Sequence, residues 1–173
     1  MVIRSEQLLM RPILESDWQA VQEIWKDFAQ SEYVQYDNPK DTEDEAVRSR
    51  IARWEAAGKG MDHLFFAVCL KEKVVGYIAL NAREIGYEIG YCFHSDYHGK
   101  GYAKESLQAI ISHLGSLGIH HFSAGTGLLN IPSVRLLESV GFKLTGTEKV
   151  SFYRDEYGKD IFFDGGIFEL TVN

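Results

Sequence analysis

Apolar residues recur along this chain at two spacings, three-to-four and two, and the switches between them mark its elements. Gln7 to Pro12 is a short apolar run that predicts a first strand. Ser16-x-x-Gln19 has the form of a capping box, in which side chains satisfy the first free N–H groups of a helix. The helix it opens carries Trp18, Val21, Ile24, Trp25 and Phe28 on one face. Thr42-x-x-Glu45 repeats the form ahead of Val47, Ile51 and Trp54, and Gly58 and Gly60 are the stop. Period-two runs follow at His63 to Leu70, Val74 to Ala82 and Ile85 to His94, with Lys71-Glu72-Lys73 as the polar turn between the first two. In the third run Tyr87, Ile89, Tyr91 and Phe93 alternate with Glu88, Gly90, Cys92 and His94.

The second half of the chain begins with a glycine hinge, His98-Gly99-Lys100-Gly101, which leads into the clearest helical pattern: Ala103, Leu107, Ile110, Ile111, Leu114 and Leu117, stopped by Gly118. His121 to Leu129 reads as a strand. Asn130 is placed to cap a short helix with Pro132 in its first turn and Gly141 at its end. Lys143 to Arg154 and Asp160 to Val172 form a closing hairpin turned around Tyr157-Gly158-Lys159. Helices early, an antiparallel middle and strand–helix–strand crossovers late predict an α+β fold around one sheet. No repeat, linker or low-complexity tract divides it.

Composition narrows the class. The 173 residues are one domain's worth, and 45% hydrophobic with 25% charged is ordinary for a soluble protein. Three prolines and 16 glycines argue against a disordered or collagen-like chain. No apolar stretch approaches the roughly 18–20 residues of a membrane span. Met1 to Glu6 lacks the basic-then-apolar layout of a secretory signal, so a cytoplasmic protein without membrane contact is expected. A net charge of −7 disfavours a nucleic-acid partner, because phosphate binding needs clustered cations. The same charge suits a cationic substrate, although most acidic proteins are merely soluble. Cys69 and Cys92 have no CxxC partner and read as free thiols. The six histidines lack metal-ligand spacing and acidic company, so no metal is expected.

The chemistry concentrates at the hinge. N–H groups at a helix N-terminus are unpaired and carry the positive end of the macrodipole, so they bind anions. A P-loop pattern ending on Gly99-Lys100 needs glycine at His94 and a hydroxyl at Gly101, and fails twice. A dinucleotide fingerprint needs a third glycine where Lys104 stands. His98-Gly-Lys-Gly101-Tyr-Ala103 instead resembles the Q/R-x-x-G-x-G/A loop of the GNAT acetyltransferase superfamily, with histidine in place of Gln/Arg. Asn130-x-x-Ser133-x-x-Leu136-Leu137-Glu138-x-x-Gly141-Phe142 is similar to the closing motif of its RimJ/RimL-like branch, the ribosomal-protein N-terminal acetyltransferases. Leu9-x-Arg11-Pro12-x-x-x-x-Asp17 and the turn Gly158-Lys159 followed by Asp164 also match that branch.

This resemblance implies that residues 1–173 form a single N-acetyltransferase domain: a mixed, mostly antiparallel sheet flanked by about four helices. A splayed strand pair would hold acetyl-CoA as co-substrate. The strand Ile85–His94 would part from the strand His121–Leu129, with the main chain of Tyr91, Cys92 and Phe93 facing the pantetheine arm. One of their N–H groups would serve the thioester carbonyl. His98, Gly99, Lys100, Gly101, Tyr102, Ala103 and Lys104 would hold the pyrophosphate. Asn130 would reach the pantetheine with its amide, cap its helix, or do both.

Acetyl transfer needs a neutral amine and a proton for the departing thiolate. Glu88 is the candidate base, as the only carboxylate of its strand; the alternatives are a solvated or sheet-pairing Glu88 and a water relay. Many family members place a tyrosine on the last helix as the acid, but that position here is Leu137. The RimJ/RimL-like branch offers Ser133, with Tyr91 in reserve; Ser133 could instead serve only the helix N-terminus. Cys92 invites a covalent route, but no tuned base accompanies it, and direct transfer is expected. Gln30 to Asp41 is either a substrate-side loop or a plain helix connection.

The expected acceptor is a peptide N-terminus or a small cationic amine such as a polyamine, aminoglycoside or amino acid. A CoA-binding regulatory module without turnover, and an interaction protein on the same scaffold, are the competing readings. Monomer and homodimer both remain open.

Overall fold

The computed structural model describes all 173 residues. Eight strands form one sheet: β1 (Ile3–Arg4), β2 (Leu8–Pro12), β3 (His63–Leu70), β4 (Lys73–Ala82), β5 (Tyr87–Phe93), β6 (His121–Gly127), β7 (Lys143–Arg154) and β8 (Asp160–Thr171). Their spatial order is β1-β2-β3-β4-β5-β6-β8-β7. Every neighbouring pair is antiparallel except β5 and β6. Four α-helices complete it: α1 (Trp18–Phe28), α2 (Asp44–Ala57), α3 (Tyr102–Ser116) and α4 (Ile131–Val140). The expected α+β architecture is present.

Strand alternation sorts the core into two layers, because neighbouring side chains leave a strand on opposite faces. In β3, Ala67 and Cys69 join Ile24, Trp25, Val47 and Ile51 under α1 and α2. Phe66 and Val68 face the other way, onto Leu107, Ile110 and Leu114 of α3. Trp25 Nε1 donates to Tyr77 Oη at 2.9 Å, which satisfies the two buried polar atoms of the first layer. In β5, Tyr87, Ile89 and Phe93 belong to the α3–α4 layer, while Cys92 packs toward α1 and α2.

Several local readings need correction. Ser16 does not cap α1: it sits inside a 3-10 turn, Glu15–Asp17, and the helix begins at Trp18. Asp17 holds the N-cap position of α1 without a side-chain bond to that helix; its carboxylate closes the 3-10 turn instead, accepting from Leu14 N at 2.8 Å while Arg11 pairs with both carboxylate oxygens at 2.8 Å. A two-oxygen guanidinium clasp fixes the carboxylate more firmly than a serine hydroxyl can. Thr42 is likewise no cap: Glu43 holds that position, and Gln22 Nε2 takes the Thr42 carbonyl. The strand β1 was not visible in the pattern, being two residues long. Strands β5 and β6 are shorter than their apolar runs. Leu117 is exposed, because α3 ends before it. The closing hairpin matches its pattern to within one residue, with the Asp155 carboxylate accepting from Tyr157 N and Lys159 N in the turn.

Candidate active site

The one parallel pairing of the sheet is cut short. Strands β5 and β6 register only at Tyr87 with Phe122 and Glu88 with Ser123, and then diverge. Beyond Glu88 the β6-facing edge of β5 has no strand partner, so backbone groups that a sheet normally pairs are left for something else. A cleft of about 1080 Å³ opens there. It is lined by Tyr91, Cys92 and Phe93 from β5, by Gly99 and Gly101 to Lys104 from the hinge, and by Asn130 and Ser133 from α4.

The hinge supplies an unusual run of donors. Gly99 and Gly101 have φ of +72° and +82°, the left-handed region where a side chain is strained. The first helical bond of α3 is Glu105 N to Gly101 O at 3.0 Å, so the N–H groups of Tyr102, Ala103 and Lys104 precede the ladder. None of the main-chain N–H groups from Gly99 to Lys104 donates to a protein acceptor. Successive N–H groups around left-handed residues at a helix N-terminus make an anion-binding concavity. The Lys100 side chain is not part of it. Its Nζ donates to Asp96 O at 3.2 Å and lies over the Tyr97 ring, outside the lining of the cleft.

His98 does more than replace a Gln/Arg. Its Nε2 lies 2.8 Å from Phe93 O. A carbonyl can only accept, so Nε2 carries the proton, and the ring ties the hinge to the end of β5. Asp27, from the last turn of α1, fixes the segment before it by accepting from Ser95 Oγ at 2.6 Å and Ser95 N at 2.8 Å. Burial opposes the Asp27 charge, but these bonds outweigh it and hold its carboxyl below the usual range.

The two candidate acids meet. Tyr91 Oη and Ser133 Oγ are 2.6 Å apart, joining β5 to the first turn of α4. Burial pushes the Tyr91 phenol up to about 12 despite that bond. Leu137, one turn further along α4, is buried in the core and carries no proton to give. Asn130 caps α4, its Oδ1 accepting from Ser133 N at 3.5 Å, which leaves the amide N–H groups facing the cleft without a protein partner.

Glu88 lies where β5 and β6 part, and it lines the cleft. Arg83, unremarked in the pattern, engages its Oε2 through Nε at 2.9 Å and Nη2 at 2.8 Å, leaving Oε1 without a protein partner. The Cys92 thiol is pushed up to about 12 by burial, with the Asp37 charge adding to it. A thiol so protonated is no nucleophile at neutral pH. His94 does not activate it: its Nδ1 accepts from Asp96 N, and its Nε2 faces Asp27 at 3.8 Å. Both cysteines are free.

The segment Gln30 to Asp41 holds a 3-10 turn, Val34–Tyr36, and seven of its residues line the cleft. The lining that sequence reasoning missed comes from the closing hairpin, including Glu148, Val150, Phe152 and Phe163. Tyr36 meets Phe163 edge to face, ring centroids 5.1 Å apart. Only pairing of distant strands brings these residues into the same cleft as Glu88. No His/Cys/Asp/Glu group has the arrangement to hold a metal ion, and no helix is long and apolar enough to cross a membrane.

A family model described as an acetyltransferase (GNAT) domain matches residues 7–143. The uncharacterized N-acetyltransferase YnaD of Bacillus subtilis is 31% identical over 153 residues, which span 84% of this chain and 85% of that protein. The chain is similar to the crystal structure of a GNAT-family acetyltransferase from Bacillus anthracis, with 27% identity, a TM-score of 0.77, and 99% and 98% of the two chains covered. It is also similar in fold to RimL, a ribosomal-protein α-N-acetyltransferase solved in complex with coenzyme A. There the identity is 20% and the TM-score 0.84, over 99% of this chain and 98% of that one.

Proposed function

The chain belongs to the GNAT acetyltransferase family, and from that premise we propose that it moves an acetyl group from acetyl-CoA to a primary amine by direct attack in a ternary complex. The observation that carries this reading is the run of unpartnered N–H groups from Gly99 to Lys104, lining the same cleft as the free edge of β5. A diphosphate suits the first and an extended, amide-bearing chain suits the second, and coenzyme A has both. Its pyrophosphate is assigned to the Gly99–Lys104 main chain, and its pantetheine to the edge at Tyr91, Cys92 and Phe93 with the Asn130 amide opposite. The likeness to RimL supports a peptide amino terminus as the acceptor, with a small amine as the second choice.

An amine of pKa about 10 is neutral in only about one molecule in 10³ at pH 7, so a base beside it matters. Glu88 Oε1, a carboxylate oxygen without a protein partner on the β5 side of the cleft, takes the ammonium proton, directly or through water. The amine then forms the N–C bond as the C–S bond breaks. A phenol pushed up to about 12 by burial is a weaker acid than an ordinary thiol. Full proton transfer from Tyr91 is therefore uphill, and the Tyr91–Ser133 pair acts first as a hydrogen-bond donor to the developing thiolate. Protonation is completed by the proton released from the amine or by solvent.

Thiol release from acetyl-CoA, screened against amino-terminal peptides and small amines, tests the reading. Acetyl-CoA binding by calorimetry with no thiol released for any amine would instead favour a module that binds CoA without turnover.

A further inference from the structure

The closing hairpin gives the cleft an aromatic wall. Phe152 and Phe163 meet across the closing hairpin with tilted rings and centroids 5.8 Å apart, and Tyr36 packs edge to face on Phe163. Tyr36 reaches the sheet because position 127 is glycine: a Cβ there would lie 2.5 Å from its ring. Apart from Asp27 and Lys104 at the hinge, the charged residues that line the cleft are all acidic: Glu32, Asp37, Glu88 and Glu148. Lys40 offsets Asp37 at 3.2 Å and Arg83 offsets Glu88, but Glu32 and Glu148 have no cationic partner. No arginine lines the cleft, and its one lysine, Lys104, belongs to the hinge.

Each feature constrains the acceptor separately. An aromatic wall removes apolar surface from water and takes flat groups edge to face. An unneutralised carboxylate draws an ammonium in and repels an anion carried beside it. We infer that the acceptor site selects a primary amine whose neighbouring group carries no negative charge and which bears an apolar, preferably aromatic, side group. Phe152 and Phe163, with Tyr36, read the side group, and Glu148 rejects the anion. An amino terminus with an apolar first residue fits, as does an arylalkylamine. A free amino acid does not, because its α-carboxylate enters a field of carboxylates. The inference rests on the amine-acceptor reading above and names the acceptor class within it.

The test compares initial rates of thiol release, per neutral amine, for phenethylamine, phenylalanine, spermidine and a peptide beginning with phenylalanine. Phenethylamine is expected to exceed phenylalanine by about 10²-fold in kcat/KM and spermidine by about tenfold. A peptide rate well above that of phenethylamine identifies a polypeptide source, and the reverse a small-molecule one; either order supports the class. Glu148→Lys, at an exposed position, should narrow the phenethylamine-to-phenylalanine ratio at least about tenfold. Phe163→Leu should raise KM for phenethylamine with kcat nearly unchanged. Equal rates for phenethylamine and phenylalanine, a ratio unmoved by Glu148→Lys, or a preference for spermidine would overturn the inference. If no amine releases thiol although acetyl-CoA binds, the transfer reading fails instead. The acceptor class is then decided by calorimetry on the acetyl-CoA complex, where binding of phenethylamine but not phenylalanine upholds it and the converse rejects it.

Discussion

Tyr91 and Ser133 were separate candidates in the linear pattern, 42 residues apart, and the fold makes them one group. If they act as a unit at the departing sulfur, their effects are not additive. Tyr91→Phe and Ser133→Ala are each expected to lower kcat about 10-fold to 10²-fold, and the double variant little further; independent multiplication of the two losses in a double-mutant cycle would separate them. Because burial holds the phenol near 12, loss of its proton should not limit the rate below about pH 11, which a pH–rate profile checks. Glu88 calls for a different pH argument. In the proposed reaction it removes a proton that the acceptor itself sheds as pH approaches 10. Glu88→Gln should therefore cost about 10²-fold in kcat/KM near pH 7, and progressively less toward pH 10. A deficit constant across that range would remove Glu88 from proton transfer. Cys92 shows the limit of reading a residue by type: a cysteine beside a histidine in sequence looks reactive, yet burial keeps it protonated and the histidine is engaged elsewhere.

At the scale of elements, the hinge and the head of α3 form one device. Two glycines in left-handed conformation turn the chain so that six successive N–H groups remain unpaired. A Cβ at either glycine meets no atom within 4 Å, so the requirement is conformational rather than one of room. Gly101→Val should cost roughly 1–2 kcal/mol of stability through the positive φ. It should also abolish acetyl-CoA binding, because the turn that aims the donors is lost. Circular dichroism would confirm that the fold persists, and calorimetry would read the affinity; an unchanged affinity would remove the pyrophosphate assignment. Asp27 supports the same device from α1, and His98 ties it to the end of β5, roles that no local motif announces because their partners are a serine and a backbone carbonyl. The segment Gln30 to Asp41 stood out in the sequence for its tyrosines and aspartates, and it does line the cleft. Its aromatic counterpart in the closing hairpin did not stand out, since Phe152 and Phe163 read as ordinary strand residues.

Across the whole molecule the sheet is joined at its middle by two registered residue pairs and by the helices packed over them. A ligand filling the gap adds contacts present only in the folded protein. At a concentration 100 times its dissociation constant acetyl-CoA should stabilise the fold by about 2.7 kcal/mol. That is a rise of roughly 5–10 °C in Tm for a chain of this size. Differential scanning calorimetry checks it, and Gly101→Val should abolish the shift. The sequence alone determined the order of elements, the two-faced strands, the closing hairpin and the glycine hinge. These depend on periodicity and backbone conformation, which are properties of neighbouring residues. It also presented the motifs that resemble the acetyltransferase family, since each lies within one short segment. Only the tertiary structure decided that β5 and β6 part after Glu88, that Arg83 occupies one of its oxygens, that Tyr91 meets Ser133, and that Phe163 and Glu148 line the same cleft. Those are relations between segments tens of residues apart, and sheet order and register, which no local spacing encodes, bring them together.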